Sequence, residues 1–436
     1  MEWYLLFSIL LGGLIGLMIL GIPVFLSFVI INLVGIYFLW GWNGILNYSH
    51  ALFSSIANFV FFPIPMFILM GDIIARSGVF VKVIETLDMW IGGVRGRLIF
   101  LAIGAATIFA ALSGSAQGTA AMLGALLLPE MYKRGYKRYM AVGSCMSGAL
   151  AQLIPPSAFA VILGSLAQVS IGKLLIGGVL PGLVTAGCYV AVTFLLLKID
   201  PEIAKDYMPK KYPLKLKLKA VAKNILPFGS IMFLVTGLIF FGICAPTESA
   251  VLGVFGSLIV IAIYKNFSWG ILKESFENTL YITGMMLLIV ANALAFSQML
   301  AYSGASEGFC EFVVNSFKLS PVTAVIIMQI VYLVLGCFME QASIIMITFP
   351  IFLPIIKALE INEIWFCILT LMNMGIAMKS PPFGLTLFVI QGTAPKGTTL
   401  RDIYLGAWVF IFCDFLAMVI VFLFPEIALL LPRLMR

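Results

Sequence analysis

Two short polar stretches interrupt the apolar sequence of this chain and carry side chains suited to binding an ion or a substrate. Residues 112–120 read LSGSAQGTA, and residues 154–157 read IPPS. In so apolar a chain these stretches are expected at membrane depth. Irregular backbone persists there only if it is buried in protein or lines a polar cavity. The pattern therefore predicts a binding site for an ion or a substrate.

A second pair of stretches, around residues 339–342 and 380–386, repeats this arrangement later in the chain. Hydroxyl and carbonyl oxygens suit a hard cation such as Na⁺, and prolines leave carbonyl oxygens without partners. Helix N-termini after such breaks suit a carboxylate. One site can therefore hold a cation and an anion together, which is the physical basis of Na⁺-coupled uptake of an organic acid. The candidate side chains are those of Ser113, Ser115, Gln117, Thr119, Ser157, Glu340, Gln341, Ser343, Thr348, Ser380 and Thr386, with Gly114 and Gly118 allowing close approach.

The composition predicts an all-α polytopic membrane protein. Of the 436 residues, 62% are hydrophobic and 10% are charged, whereas a soluble domain is about 25% charged. The seven cysteines form no CxxC motif and are expected to be small buried hydrophobes. The single histidine lies far from the serine-rich breaks, so neither a catalytic triad nor a metal cluster is expected, and an intramembrane enzyme is disfavoured.

The elements that would position the candidate residues follow from the lengths of the apolar runs. A helix needs about 20 apolar residues to cross a bilayer core of about 30 Å. Shorter runs come in pairs and predict two re-entrant hairpins, 98–131 and 322–356, and two proline-broken helices, 139–168 and 364–393. Residues 79–96 and 301–320 are predicted to be amphipathic arms. The spanning candidates are 4–20, 23–41, 60–76, 174–197, 225–243, 248–264, 279–299 and 403–424.

Landmarks recur at a nearly constant offset and indicate an internal duplication. Pro155-Pro156 and Pro381-Pro382 are 226 positions apart, as are Gly78 and Gly304. Pro129 and Pro354 are 225 apart, and Pro23 and Pro246 are 223 apart. The chain is accordingly divided into a first repeat, 1–200, a basic linker, 201–223, and a second repeat, 224–436.

Loop charge predicts that the two repeats are inverted. Residues 76–97 carry four basic against two acidic side chains, and residues 130–138 carry four against one. The corresponding loops 302–323 and 355–363 each carry one lysine against two acids. By the positive-inside rule the first pair is cytoplasmic and the second external. The linker, with eight lysines against three acids over residues 198–223, is also placed in the cytoplasm. Inverted repeats are typical of secondary transporters.

Six segments in order make the chain resemble the large permease subunit of tripartite ATP-independent periplasmic (TRAP) transporters, the DctM type. The resemblance covers essentially the whole chain. It rests on PIPMFILMGDIIARSG (63–78), LSGSAQGTAAMLGALLLPEMYKRGY (112–136), LIPPSAFAVILG (153–164), CAPTESAVLGV (244–254), GCFMEQASIIMITFPIFLPI (336–355) and SPPFGLTLFV (380–389).

The resemblance implies Na⁺-coupled uptake by an elevator mechanism, with Na⁺ as the coupling ion and no other cofactor. It implies a multi-pass protein of the bacterial inner membrane with two partners, a separate small four-helix membrane subunit and a periplasmic substrate-binding protein. The implied substrate is a carboxylate, such as a C4-dicarboxylate or sialic acid. The implied Na⁺ residues are Ser113, Gly114, Ser115, Pro155, Ser157, Gly336, Glu340, Ser343, Ser380 and Pro382, and the substrate candidates are Gln117, Thr119, Gln341, Lys379, Gly384 and Thr386.

Two positions depart from the family pattern, and one alternative function stays open. MEQAS at 339–343 stands where an Asp-Pro-Thr-like sequence is usual, so Glu340 would replace the acid. Lys379 stands where the family is usually apolar or Thr. It could bind a substrate carboxylate, snorkel to the cytoplasmic face or pair with an acid. The alternative function is a stand-alone ion or carboxylate carrier, or a channel, that needs no binding protein, because re-entrant hairpins also build selectivity filters.

Overall fold

A computed structural model describes residues 2–205, 212–316, 319–382 and 384–435. Within these ranges the chain forms helices joined by short turns, and no β-strand is present. Parts of three predicted segments lie outside the described residues: 206–211 of the linker, 317–318 of the second arm and 383 of the second broken helix. The predicted all-α class is confirmed.

Described residues 2–200 contain ten α-helices. They are α1 (Trp3–Ile19), α2 (Val24–Ile56), α3 (Pro63–Arg76), α4 (Phe80–Trp90), α5 (Arg97–Ser113), α6 (Ala116–Lys133), α7 (Arg138–Cys145), α8 (Ala158–Ala167), α9 (Ile171–Gly177) and α10 (Val179–Ile199). Short 3₁₀ turns cover Phe59–Phe61, Met146–Gln152 and Pro201–Ile203.

The rest of the described chain contains twelve more α-helices. They are α11 (Leu214–Asn224), α12 (Leu226–Met232), α13 (Leu238–Phe240), α14 (Pro246–Ile263), α15 (Trp269–Tyr302), α16 (Ala305–Glu311), α17 (Pro321–Gly336), α18 (Gln341–Ala358), α19 (Glu363–Ala377), α20 (Leu385–Thr393), α21 (Leu400–Leu423) and α22 (Glu426–Leu434). π-Helical turns cover Phe233–Gly237 and Phe312–Ser316.

Seven helical segments among the described residues are long and apolar enough to cross a membrane. An eighth is counted if α11 and the α12–α13 segment, which bend by 41° at their junction, form one span. Two helices are longer than predicted, and one helix was not predicted. Helix α2 continues past a kink at Gly41 (φ 64°) to Ile56, α15 begins ten residues earlier than the predicted 279, and α22 was not predicted.

Helices α5 and α6 form a tight hairpin whose turn is set by two residues. Gly114 ends α5 with φ 58°, a left-handed conformation that glycine adopts without a steric penalty. Ser115 then caps α6, because its Oγ accepts a hydrogen bond from the Gly118 N–H at 3.1 Å. Helices α17 and α18 form the second hairpin, with residues 337–340 between them.

The two proline pairs separate helices that would otherwise be continuous. Before Pro155, α7 passes into the 3₁₀ turn Met146–Gln152, and after Pro156 the Ser157 Oγ caps α8 by accepting from the Ala160 N–H at 3.3 Å. In the second break α19 ends at Ala377 and α20 begins at Leu385. The peptide bond between the prolines is cis in both breaks. The division into two inverted repeats stays a prediction.

Helix α11, which joins the linker to the second repeat, packs on the first arm. Asn224 Nδ2 donates to Thr86 Oγ1 at 2.8 Å, and the Lys217 ammonium lies 5.7 Å from the Trp90 ring. A separate ion pair joins Lys137 to Asp200 after α10. It raises the pKa of Lys137 and lowers the pKa of Asp200, in each case mainly through their mutual hydrogen bond. Because both side chains are exposed, this pair contributes little to stability.

Two glycines allow α7 and α21 to cross in backbone contact. A Cβ added at Gly406 would lie 2.3 Å from the Tyr139 carbonyl oxygen and 2.8 Å from the Gly143 nitrogen. Such contacts between small residues are the usual way in which membrane helices pack closely. The crossing holds α7, which leads into the first break, against α21.

We therefore expect Gly406→Ala to lower the thermal unfolding midpoint of the detergent-purified chain. The added methyl would collide with backbone that cannot rotate away, and overpacking of this kind costs about 1–3 kcal/mol. Gly187→Ala on α10 is the matched control, because a Cβ there meets nothing within 4 Å. Equal midpoints for the two variants would contradict the proposed tight crossing.

Candidate functional site

One cavity of about 690 Å³ brings the two hairpin turns together. One wall is formed by the C-terminal half of α3 and the N-terminal half of α15. The lining also contains residues 113–119 of the first hairpin, Glu340 and Ala342 of the second, and Gln152 and Ala158 beside the first break. The polar tips predicted from the sequence therefore face a common space.

The first hairpin tip is a compact cluster of hydroxyl groups. Ser113 Oγ donates to the Phe109 carbonyl oxygen at 2.9 Å and lies 3.1 Å from Thr119 Oγ1. The Ser115 N–H donates to Ser113 Oγ at 3.3 Å. Gln117 also lines the cavity. The tip thus presents uncharged oxygens, the kind of ligand that a hard cation prefers.

This tip is held between the first break and α3 by contacts that only glycine permits. A Cβ at Gly114 would lie 2.8 Å from the Pro156 carbonyl oxygen. A Cβ at Gly71 of α3 would lie 2.2 Å from the Ser113 carbonyl oxygen and 2.8 Å from its carbonyl carbon. The sequence predicted the role of Gly114, whereas Gly71 had no signal beyond its place in an apolar helix.

The second hairpin tip carries a carboxylate. Glu340, half-buried at the start of α18, accepts a hydrogen bond from Ser343 Oγ at 3.3 Å. Gln341 is buried, and its Nε2 donates to the Met374 carbonyl oxygen of α19 at 2.5 Å. Gln341 Oε1 accepts from Gln152 Nε2 at 2.6 Å. Gln152, which was not among the predicted site residues, therefore ties the second tip to the first break.

Several polar groups of the second break form hydrogen bonds with backbone carbonyls of the same segment. Ser380 Oγ donates to the Ile376 carbonyl oxygen at 3.0 Å, and the Gly384 N–H donates to the Ser380 carbonyl oxygen at 3.0 Å. The Thr386 N–H donates to the Met378 carbonyl oxygen at 3.1 Å. Pro382 is exposed, whereas Ser380, Gly384 and Thr386 are buried.

Lys379 is committed to a buried ion pair away from the cavity. Its ammonium pairs with the Asp414 carboxylate of α21, and its Nζ donates to the Tyr189 hydroxyl of α10 at 2.9 Å. Tyr189 in turn donates to Asp414. Of the three possibilities for Lys379, the placement matches pairing with an acid, and it does not support contact with a substrate or snorkelling.

A charged cluster that the prediction left out faces the first tip from α3 and α15. Arg76 Nε lies 2.6 Å from Asp72 Oδ2, and Arg76 Nη1 lies 2.5 Å from Glu274 Oε2. Asn278 Nδ2 donates to Asp72 Oδ1 at 2.9 Å. Asp72, Arg76 and Asn278 line the cavity. The residues on α3 lie about 200 positions before those on α15, which explains why the sequence did not join the two helices.

The predicted site residues divide into two groups by their position. Those that line the cavity are Ser113, Gly114, Ser115, Gln117, Thr119 and Glu340. Those that do not line the cavity are Pro155, Ser157, Gly336, Gln341, Ser343, Lys379, Ser380, Pro382, Gly384 and Thr386. Their assignment to Na⁺ or substrate stays a prediction.

With this geometry in place, comparison with known proteins decides the family. Residues 11–427 match the model of the DctM component of the tripartite ATP-independent periplasmic transporters. The chain belongs to this family. It is a large permease of the TRAP type, a transporter component, and a multi-pass protein of the bacterial inner membrane.

Curated relatives of this TRAP permease extend over nearly the whole chain. The C4-dicarboxylate TRAP large permease DctM of Rhodobacter capsulatus is 31% identical, over 98% of this chain and 99% of that protein. The protein of the same name in Pseudomonas aeruginosa is 31% identical over 88% of each chain. The sialic acid TRAP permease SiaT of Haemophilus influenzae is 28% identical over 96% of this chain and 67% of its own length.

A solved structure shares the fold at low sequence identity. The YdaH transporter of Alcanivorax borkumensis superposes with a TM-score of 0.63 at 12% identity, over 88% of this chain and 89% of that one. The likeness shows that the helical arrangement of this TRAP permease is one that membrane transporters use.

The contact between Gly71 and the first tip predicts that Gly71→Ala will displace the tip from α3. Backbone at 112–118 should then exchange amide hydrogen faster, because the carbonyl of Ser113 must move to admit the methyl group. Hydrogen–deuterium exchange mass spectrometry of this segment is the measurement. Gly104→Ala on α5, where a Cβ meets nothing within 4 Å, should leave the exchange unchanged. Equal exchange in both variants would show that the contact does not hold the tip.

The buried ion pair predicts a double-mutant cycle with strong coupling. Asp414→Leu leaves the Lys379 ammonium without its counter-charge in a buried position, and removing one partner of such a pair costs about 3–5 kcal/mol. Lys379→Met combined with Asp414→Leu should recover most of the loss in thermal unfolding of the purified chain. A double variant as unstable as Asp414→Leu alone would rule out this reading.

Proposed function

We propose that this TRAP permease couples the entry of Na⁺ to the uptake of an organic acid. The observation that carries the proposal is the shared cavity, in which the hydroxyl cluster at 113–119 and the carboxylate of Glu340 face the same space. Hydroxyl and carboxylate oxygens are ligands for a hard cation. Of the Na⁺ residues inferred from the family resemblance, Ser113, Gly114, Ser115 and Glu340 line this cavity.

The charge of the cavity supports coupling to a cation. Among the described lining residues, the charged ones are Asp72, Arg76 and Glu340. One base against two acids leaves a formal charge of −1. Such a cavity attracts Na⁺ and opposes a carboxylate until a cation is bound, because charges interact strongly where water is scarce. Cation binding would therefore precede and enable substrate binding.

The packing supports movement of one unit against another, as an elevator mechanism requires. We assign the two hairpins and the two broken helices to a moving unit, and α3 and α15 to a static one. At the first tip, one of their contacts is between the Ser113 carbonyl and Gly71. A contact without interlocked side chains can be broken and remade as one unit slides. The two inverted repeats would give the moving unit equivalent positions on either side of the membrane.

The permease would act with two partners. We propose a separate small membrane subunit and a periplasmic binding protein that delivers the substrate, as the family name implies. The names of relatives suggest a carboxylate such as a C4-dicarboxylate or sialic acid.

Uptake into proteoliposomes tests this function. The vesicles would contain the permease and its small subunit, with the binding protein and radiolabelled organic acids outside, in inward Na⁺ or choline gradients. We expect uptake that requires both Na⁺ and the binding protein. Uptake that needs neither and follows membrane potential alone would favour a channel.

Ser115→Ala should abolish this uptake, because it removes a tip hydroxyl from the proposed cation site. Ser115→Asn keeps a good helix cap, so its activity separates capping from ion binding: loss in both variants supports binding, and recovery with Asn would assign Ser115 to capping. Ser49→Ala is the control, since Ser49 is exposed and bonds its own helix. Full uptake by Ser115→Ala would remove Ser115 from the site.

A further inference from the structure

Helix α11 carries a row of lysines whose charges are not balanced by acids of the described chain. Lys215, Lys219 and Lys223 follow one another at intervals of four residues, so the pitch of an α-helix places them on one face. All three side chains are exposed. None of them forms an ion pair with an acid among the residues that the structure describes. This lysine stripe is therefore available to an anionic partner outside the chain.

Contacts with the first arm fix which way the lysine stripe faces. Lys217 and Asn224 are seven residues apart and share another face of α11. Asn224 Nδ2 donates to Thr86 Oγ1 of α4 at 2.8 Å, and the Lys217 ammonium lies 5.7 Å from the Trp90 ring. At about 100° per residue, the lysine stripe lies roughly 150° around the helix from these contacts. Packing on α4 therefore turns the stripe outward.

Exposed leucines flank the lysine stripe on both sides. Leu214 and Leu218, at 63% and 53% exposure, lie on one side of it, and Leu216, at 43%, lies on the other. A soluble anion would neutralise the lysines and leave these apolar side chains in water. At a membrane surface the leucines can enter the acyl region while the lysine stems extend along it and keep their ammonium groups at the headgroups. The pattern therefore favours a lipid surface as the partner.

The course of the chain agrees with a position at the membrane surface. Helix α11 bends by 41° from the α12–α13 segment that follows it. Four of its eleven residues are lysines, which are costly in the bilayer core and favourable beside anionic headgroups. The positive-inside rule places this helix at the cytoplasmic face.

From these observations we propose that the lysine stripe of α11 binds anionic phospholipids of the cytoplasmic leaflet, such as phosphatidylglycerol. Each phosphodiester supplies one negative charge to the ammonium groups of Lys215, Lys219 and Lys223, while the neighbouring leucines insert beside the acyl chains. The inference is independent of the proposed Na⁺-coupled function, because it concerns a surface remote in sequence from both hairpin tips.

Lipid binding at α11 would also hold the first arm at the membrane surface. The arm is in contact with α11 through Thr86 and Trp90. Its Asp88 pairs with Arg97, the first residue of α5 in the first hairpin. A lipid on the stripe would therefore anchor the segment from which this hairpin extends.

Native mass spectrometry of the purified full chain tests the proposal, with phosphatidylglycerol and phosphatidylcholine added in turn. We expect the first bound phosphatidylglycerol to have an affinity at least about fivefold above that of phosphatidylcholine, which corresponds to the contribution of one lysine near an anionic surface. The preference should weaken in high salt, because exposed charges are screened. Equal affinities would overturn the proposal and leave an acidic protein segment as the occupant to test.

A triple variant, Lys215→Gln, Lys219→Gln and Lys223→Gln, should lose the preference for phosphatidylglycerol. Glutamine has nearly the helix propensity of lysine, so α11 should still form. The matched control changes three exposed lysines on other elements to glutamine, Lys133, Lys357 and Lys396, and removes the same formal charge. It should keep the preference, as should arginine at the three stripe positions. An equal loss in the control would assign the effect to net charge and overturn the stripe as the site.

Hydrogen–deuterium exchange in lipid nanodiscs locates the bound lipid. Amides of residues 214–224 should exchange more slowly in discs that contain phosphatidylglycerol than in discs of phosphatidylcholine alone, because a bound lipid stabilises the helix against local opening. The glutamine variant should show no such difference, whereas the control variant should show it in full. The same lipid response in α11 of both variants would contradict the proposal.

Discussion

The site depends on backbone groups that must find partners without water. The first tip and the first break solve this jointly, because Gly114 sits against the carbonyl of Pro156 and Ser115 and Ser157 cap the helices that follow. An unsatisfied buried peptide group costs several kcal/mol, so each cap removes a substantial penalty. The serine hydroxyls that could bind a cation are thus positioned by the hydrogen bonds that they make to backbone N–H groups.

The two hairpin tips are held in place by different kinds of contact. In the first, small and uncharged residues carry the tip, and the contacts are backbone to backbone. In the second half, side chains make the contacts. Gln341 hydrogen-bonds to the Met374 carbonyl of α19 and to Gln152, and the Glu340 carboxylate accepts from Ser343. The Gln152–Gln341 hydrogen bond joins the halves, so a change at one tip has a direct physical route to the other break.

Much of the fold could be predicted from the sequence because its signals are local. Apolar length located most spanning helices, and the glycine, serine and proline residues at 113–118 and 154–157 located the hairpin and the break. Where the prediction stopped short, apolar length was misleading: it placed the end of the second span at residue 41, whereas α2 kinks at Gly41 and continues to Ile56. The family could also be predicted from the sequence, because six motifs in the same order are specific to that family. The pairing of Arg76 with Glu274 and the partners of Lys379 were not accessible, because they join residues about 200 and 35 to 190 positions apart, and no sequence periodicity indicates such pairs.

The Lys379–Asp414–Tyr189 cluster has a consequence for how the chain is made. Lys379 and Asp414 lie in the last sixty residues, whereas Tyr189 is supplied by a helix inserted long before them. Until α21 enters the bilayer, the ammonium of Lys379 has no counter-charge, and a lone charge at that depth is expensive. The α19–α20 segment therefore gains its final position only when the ribosome has nearly finished. Correct folding therefore requires synthesis of the chain through α21. A truncated chain that lacks α21 would carry the uncompensated charge of Lys379, by which membrane quality control could recognise it.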